Sequence, residues 1–507
     1  MSLYRIDVVA SAPYRSSENV KRSKRFPILK LACLIALAMF DHLAFAQEQV
    51  AENDPSSASQ APVAAAPEAD TDKEERWNAY GQFTTIVQKK DAFHAAYTNF
   101  DGSTNSLLPG KEISHTTSAT EFLGLRVWQG GEFYLVPEMI SEIPLSDLHG
   151  LGGSVNNGEL EKAGSNAPTF YRSRSFLRQT WGYGSDSVQE ESGPMQLAQS
   201  VDSRRFVLTF GNLAIIDIFD KNSYTGDVRQ QFLNIDFMTY AAYDFAADAR
   251  GYSWGLVGEY YYDEWAVRYG RFIVPRDPNQ LPLNDSPLKY YGDQLEVEHD
   301  HKIFDKPGKA RLLVYKNVER MGRWDDAINA FVANPAENAT TCTGFNYGSN
   351  NADAPDLCWA RRRNSKVGYG LNVEQSITPD VGVFFRGMKA DGKTEVYAFT
   401  STDSSVAFGV SVKGNGWARE RDSFGIGVAQ NWLSAIHVEY LNMGGIDGFI
   451  GDGRINYKPE QAFEAYYNIN LIRNSWLTFD YQHVNNPGYN ADRGPVDIFG
   501  VRLHLEF

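Results

Sequence analysis

Apolar and polar residues alternate in short segments that recur from Trp77 to the last residue. Phe463, Ala465, Tyr467, Ile469 and Leu471 oppose Glu464, Tyr466, Asn468 and Asn470. Leu477, Phe479 and Tyr481 oppose Thr478, Asp480 and Gln482; Val406, Phe408, Val410 and Val412 oppose Ala407, Gly409 and Ser411. Phe424, Ile426 and Val428 oppose Gly425, Gly427 and Ala429, and Leu123, Leu125 and Val127 oppose Gly124 and Arg126. The last segment sets Phe499, Val501, Leu503, Leu505 and Phe507 against Gly500, Arg502, His504 and Glu506. A period of two puts such sets on opposite faces of extended strands. Asn474-Ser475, Asp391-Gly392, Gln129-Gly130-Gly131 and Asn442-Met443-Gly444-Gly445 supply the turns between them.

A soluble sheet carries the same period when one face packs on a core. Here the polar face is rich in Gly, Asn, Gln and Thr, which suits a watery interior rather than a charged exterior. The aromatic terminus Phe507 is the kind of signal that outer-membrane barrel assembly machinery is expected to read. The pattern predicts an all-β chain, a transmembrane antiparallel β-barrel of about 16 strands over 76–507, the porin size that leaves an aqueous channel. Asp325 to Phe331 reads as a short helix inside a loop, and no fixed-period repeat is found.

Upstream of the barrel, Lys21, Arg22, Lys24 and Arg25 precede an apolar run from Leu31 to Phe40 and the small-residue site Ala44-Phe45-Ala46. This predicts a signal peptide over 1–46, cleaved near Ala46, and hence an outer-membrane destination in a Gram-negative cell. Cys33 lies inside the apolar run with more apolar residues after it, against a lipid anchor. Residues 47–75, rich in Ala, Pro, Ser and acids, read as a disordered lead-in.

No window approaches the 18 or more apolar residues of a spanning helix, and the mean hydropathy is −0.40. Barrels escape that test because lipid-facing and lumen-facing residues average out. The 27 Tyr and 30 Phe suit aromatic girdles. With 48 Lys and Arg against 63 Asp and Glu, the chain lacks the basic footprint of a nucleic-acid binder. Cys342 and Cys358 flank a Gly/Asn-rich stretch in a chain bound for an oxidising compartment, so they are disulfide candidates. Closing that loop is worth roughly 3 kcal/mol in the chain-entropy model.

Several blocks carry more than periodicity. They are Trp77-Asn78-Ala79-Tyr80-Gly81-Gln82-Phe83-Thr84 with Phe93-His94-Ala95-Ala96-Tyr97, the stretch Phe170 to Gly182, and Asp202-Ser203-Arg204-Arg205-Phe206. Further along stand Ala246 to Gly255, Tyr291-Gly292-Asp293-Gln294 with Glu296 and Glu298, and Asn486-Pro487-Gly488-Tyr489-Asn490 running into Asp492 to Val496. Together these blocks resemble the OprB-like carbohydrate-selective porin family across almost all of 77–507. The resemblance implies a 16-stranded outer-membrane barrel that passes small sugars by diffusion, without catalysis, cofactor or energy coupling. Asn338 to Arg363, which includes the Cys pair, has no counterpart in it.

A sugar pore needs planar donors for hydroxyls and flat apolar surface for the ring, which Arg with Trp or Tyr supplies. Arg172, Arg174 and Arg178 fall on one face of a strand at period two. Charges facing lipid cost about 2–4 kcal/mol each at mid-depth, so that face is expected to be luminal. Pairing with wall carboxylates and lining the pore stand equally open for them. Arg268, Glu296 and Glu298 read as luminal partners of the row. Arg320, Arg323 and Trp324 line a constriction if the short helix folds inward; an ordinary outer loop is the plainer expectation. His299 and His301 share a strand face but lack a further ligand in register, so no metal is expected.

Rival readings are a polysaccharide export barrel, an outer-membrane hydrolase whose Ser, His and acid come from separate strands, and a secreted β protein such as a lectin. No nucleophile elbow, HExxH, P-loop or dinucleotide fingerprint is present. A barrel of about 22 strands with a plug exceeds the chain length.

Overall fold

The computed structural model describes residues 74–337 and 353–507. The segment 1–46 expected to be a signal peptide, most of the expected lead-in 47–75, and Cys342 lie outside them. The strands are β1 (Trp77–Lys90), β2 (Glu112–Trp128), β3 (Gly131–Ile143), β4 (Thr169–Gly182), β5 (Ser187–Glu190) and β6 (Gln199–Asp202). They continue with β7 (Arg205–Leu213), β8 (Ser253–Tyr262), β9 (Trp265–Phe272), β10 (Tyr291–Ile303), β11 (Lys306–Met321) and β12 (Arg362–Thr378). The last six are β13 (Val381–Ala390), β14 (Ser404–Gly414), β15 (Arg419–Trp432), β16 (Glu460–Ile472), β17 (Ser475–Asn485) and β18 (Val496–Glu506). All except β5 and β6 form one closed antiparallel barrel of sixteen strands, β1 closing on β18 from Gln82↔Glu506 to Lys90↔Ile498. Closure leaves no unpaired edge, the condition for a sheet to span lipid.

The alternation becomes two surfaces. Phe479, Val501, Val428 and Leu295 are exposed on the outer face, while Arg502, Glu464, Gln482 and Glu296 are buried inside. Among the described residues no helix is long and apolar enough to cross a membrane, which leaves crossing by strands untouched. Short turns such as 304–305 and 473–474 gather at one end and long loops at the other, the arrangement of periplasmic turns and extracellular loops. The segment 183–204 is the exception at the short-turn end. It carries the β5–β6 hairpin, sends Leu197 into the interior, and is tied to Glu75 and Asn78.

The connection 214–252 between β7 and β8 folds into the barrel. It is apolar and aromatic where a solvated loop would be polar: Phe219, Phe232, Leu233, Phe237, Tyr240, Tyr243 and Ala246 are almost fully buried. Its backbone is pinned to the opposite wall. Leu233 and Asn234 donate their amides to Glu464 at 2.6 and 2.9 Å, and Arg502 donates to the Val228 and Gln231 carbonyls at 2.6 and 2.8 Å. Nearer β7, Arg386 reaches Asp220 at 3.0 Å and the Phe237 carbonyl at 2.6 Å. The loop therefore crosses the bore.

This crossing changes the meaning of the luminal glycines. Periodicity reads them as lining water; several instead make room for rings of the inserted loop. A Cβ on Gly427 would stand 2.7 Å from the Phe237 ring, one on Gly370 2.9 Å from Tyr240, and one on Gly382 2.0 Å from Tyr224.

Candidate functional site

β3, β4 and the loops 144–168 and 214–252 meet inside the barrel. A bulge sets the register there: Val136 pairs with Arg174 but Pro137 pairs with Arg172, so Ser173 is an extra residue on β4. Arg174 and Arg178 point inward. Arg172 points outward, exposed, its guanidinium 5.5 Å from the centroid of the Trp254 ring. The expected one-faced Arg row is thus corrected, because a bulge reverses the parity that a period-two count assumes.

Arg174 grips Asp217 of the crossing loop through Nε–Oδ2 at 2.6 Å and Nη2–Oδ1 at 2.8 Å. Burial works to raise the Asp217 pKa, but the Arg174 guanidinium outweighs it and holds the carboxyl below the usual range. Beside them Glu138 accepts from Thr120 at 2.6 Å, from Tyr252 at 3.0 Å and from Tyr171, and lies 3.3 Å from Arg229. Arg229 also meets Glu159 at 2.9 Å. Arg250 lies 3.5 Å from Glu161 and 4.6 Å above the Tyr171 ring, and Arg174 lies 5.1 Å from the Tyr252 ring. Guanidiniums, carboxylates and two tyrosine rings therefore converge on one stretch of bore. Burial pushes the Glu161 carboxyl up to about 9, so it carries a proton at neutral pH and can donate as well as accept. Above this cluster a cavity of about 380 Å³, lined by Glu142, His149, Glu161, Lys162, Asn166 and Phe449 among others, opens among the outer loops.

The other luminal candidates form a second array in the wall. Arg268 reaches Glu259 at 3.1 Å, Glu296 at 3.0 Å and Glu298 at 3.2 Å. Arg311 also meets Glu298 and lies 3.4 Å from Glu374. Glu296 accepts the Asp220 amide at 2.8 Å and Glu374 the Ser223 amide at 2.7 Å, so this array also holds the crossing loop. Arg178 lies apart from it, 3.1 Å from the Met195 carbonyl and 3.8 Å from Glu132.

The remaining candidates stand in the outer loops. Arg320, a constriction candidate only if the short helix folds inward, lies instead on the outer face of β11, 3.3 Å from Asp277. Arg323 pairs at 2.7 Å with Asp325 of its own helix, Trp324–Ala333. Trp324 is fully buried, stacked on His437 of the helix Ala435–Asn442, so it packs two outer loops together and offers no surface to the bore. The His301 ring pairs with Gln375 at 3.1 Å. Among the described residues no group of three or more His, Cys, Asp or Glu is placed to hold a metal. Cys358 sits in the turn Leu357–Trp359, where its amide donates to Asp356 at 2.9 Å.

Sequence reasoning missed Glu138, Asp217, Arg229, Glu159 and Glu161. Glu138 shares the inward parity of β3 with Glu132 and Glu142, a countable signal. The loop residues had a weaker one: the apolar stretch around Phe237 to Ala249 lacks any period of two, which marks a buried loop and not a strand.

A closed sixteen-stranded barrel with an apolar belt, charged interior and inward loop defines an outer-membrane porin, a class of channel without catalysis. The family model described as carbohydrate-selective porin, OprB family, matches residues 120–507, and the chain belongs to that family. Among solved structures, the high-pH form of Pseudomonas putida OprB is similar with a TM-score of 0.63 at 15% identity, covering 85% of this chain and 94% of that one. Its low-pH form gives 0.42 at 13%, covering 85% and 93%. The outer-membrane channel DcaP of Acinetobacter baumannii gives 0.44 at 8%, covering 85% and 97%. Comparison with curated proteins finds no match.

Proposed function

We propose that the channel carries small sugars passively across the outer membrane and selects them at the narrowing formed by loop 214–252. The observation that supports this is the convergence of Arg174, Arg229 and Arg250 with Glu138, Asp217 and Glu161 around the Tyr171 and Tyr252 rings. Planar donors and carboxylates exchange hydrogen bonds with sugar hydroxyls, and the rings offer flat apolar surface to the pyranose face. Arg268, Glu296 and Glu298 serve as the wall that positions the loop. Liposome swelling with mono- and disaccharides, and block of planar-bilayer conductance by glucose, test the reading; conductance indifferent to every sugar would defeat it.

The same reading includes a leader removed near Ala46, the lead-in 47–75 ahead of the barrel, insertion among outer-membrane lipids, and a Cys342–Cys358 bridge. The mass of the mature chain, taken with and without reductant, checks both cleavage and bridge.

A further inference from the structure

The outer face of the barrel carries its charge unevenly at the long-loop end. There the outward positions of β9, β11, β12 and β13 hold Arg271, Lys316, Arg320, Arg363 and Lys389. Lys289 of the loop 273–290 joins them, because Arg363 Nε donates to its carbonyl at 3.1 Å. Arg320 and Arg363 stand directly opposite each other across β11 and β12. Like charges so placed destabilise a strand pair unless an anion lies between them. The neighbouring acids do not supply it. Asp293 accepts two hydrogen bonds from Arg271 at 2.7 and 2.8 Å, and Asp277 lies 3.3 Å from Arg320 alone. Asp391 accepts the Val367 and Lys393 amides, and Asp285 lies in the loop that carries Lys289. Among the described residues Lys289, Lys316, Arg363 and Lys389 enter no ion pair. On the far side of the same rim charge is matched: Lys89 meets Asp91 at 2.9 Å and His483 meets Asp497 at 2.8 Å.

Toward the short-turn end, the outward residues of the same strands turn apolar. Leu295, Leu312, Val314, Tyr369 and Leu371 are exposed there, and Leu288, next to Lys289, is 86% exposed. Bases above an acyl-contacting surface match a lipid with an anionic head. Lys316 stands four residues below Arg320, about 13 Å along an extended strand, a spacing that suits two phosphates carried on one head. The long loops mark the outer leaflet, whose lipid in a Gram-negative cell is a phosphorylated saccharolipid. We propose that this patch is a docking site for that lipid, with Arg320, Arg363 and Lys289 on one phosphate and Lys316 on the other. Arg offers phosphate a planar fork and Lys a point charge. The site does not depend on which solute the bore passes.

The test uses the full mature protein, purified in detergent and stripped of lipid. Native mass spectrometry follows its titration with bisphosphorylated lipid A, the enzymatically dephosphorylated form, and phosphatidylglycerol, with inorganic phosphate as competitor. Lipid A should bind roughly ten-fold tighter than the dephosphorylated form or phosphatidylglycerol, and inorganic phosphate at equal phosphate concentration should leave it bound. The double variant Arg363→Gln/Lys289→Gln should lose roughly ten-fold in lipid A affinity, while Lys89→Gln, across the rim, keeps it. Arg363→Gln removes a like-charge opposition, so heat-modifiable mobility should report a folded barrel; if it does not, the wild-type comparison of the two lipid A forms still decides. Equal binding of the dephosphorylated form or of phosphatidylglycerol overturns the site, as does displacement by inorganic phosphate, which would make it a site for the free ion. Equal losses in Lys89→Gln and the double variant overturn it too. So does a dimer that excludes lipid A, which would give the face to a second copy of the chain.

Discussion

Arg174 and Asp217 are joined by two parallel hydrogen bonds of 2.6 and 2.8 Å, and this bidentate clamp ties the wall strand β4 to the loop that crosses the bore. The loop's position, and with it the aperture, depends on the pair. Removing one partner strands the other charge, at a cost of roughly 3 kcal/mol, the low end of the buried range because the pair borders bore water. Arg174→Ala should therefore free the start of the loop, raise single-channel conductance and weaken sugar block. Arg174→Lys, which keeps the charge but loses the fork, should fall between. Unchanged conductance in Arg174→Ala would sink the clamp.

Gly427 and Phe237 make a second contact between wall and loop, of shape and not of charge. A valine at 427 has no room under the Phe237 ring, and overpacking of this kind costs about 1–3 kcal/mol. Gly427→Val should leave the barrel folded, by heat-modifiable mobility on gels, while exposing 214–252 to protease. Phe237→Ala clears the space, so the double variant should be less protease-sensitive than Gly427→Val alone. Equal cleavage of the two would mean the ring does not rest there.

How much of this was legible in the chain follows from which rules act locally. Outward and inward faces of β14 to β18 could be read residue by residue, because alternation is enforced wherever lipid meets one side and the lumen the other. The strand count followed instead from the length of 76–507, at about 27 residues per strand with its share of loop. The direction of Arg172 was not legible: one bulge opposite Val136 and Pro137 reverses parity, and nothing in Phe170 to Gly182 announces it. Nor was the pairing of Asp217, which stands 43 residues from Arg174 in sequence and meets it only after the loop folds inward.

The bulge carries its own prediction. Arg172→Leu, on the outer face beside Trp254, should leave conductance and sugar block within experimental scatter and change stability by less than about 1 kcal/mol, the size of an exposed cation–π contact. A conductance change as large as that of Arg174→Ala would show that Arg172 turns inward after all.

His437 gives the pH dependence. It is fully buried in the outer loops, Nδ1 3.1 Å from Asp403 and Nε2 3.4 Å from Asp447, with Trp324 stacked on it at 4.0 Å. Burial alone would lower its pKa, but the two carboxylates outweigh that and raise it to about 9 from an ordinary 6.5. A group whose pKa is raised by folding stabilises the fold fully below its unfolded value and loses that contribution as pH climbs through the folded one. The clamp between the loops therefore holds at full strength below pH 6.5, fades between 6.5 and about 9, and is gone above, a difference of up to about 3 kcal/mol. On the acid side Asp403, held low by His437 against its own burial, keeps the pair intact down to below its ordinary 3.8. Hydrogen exchange of the helices Trp324–Ala333 and Ala435–Asn442 in detergent, corrected for intrinsic rates, should show protection level from pH 5 to 6.5 and falling toward pH 9. His437→Gln should abolish that slope. His437→Phe, which keeps the stack on Trp324 but offers the two buried carboxylates no hydrogen-bond donor, should protect less than His437→Gln at neutral pH. A wild-type profile flat to pH 9.5 would mean that the loops are held by packing and not by this charge.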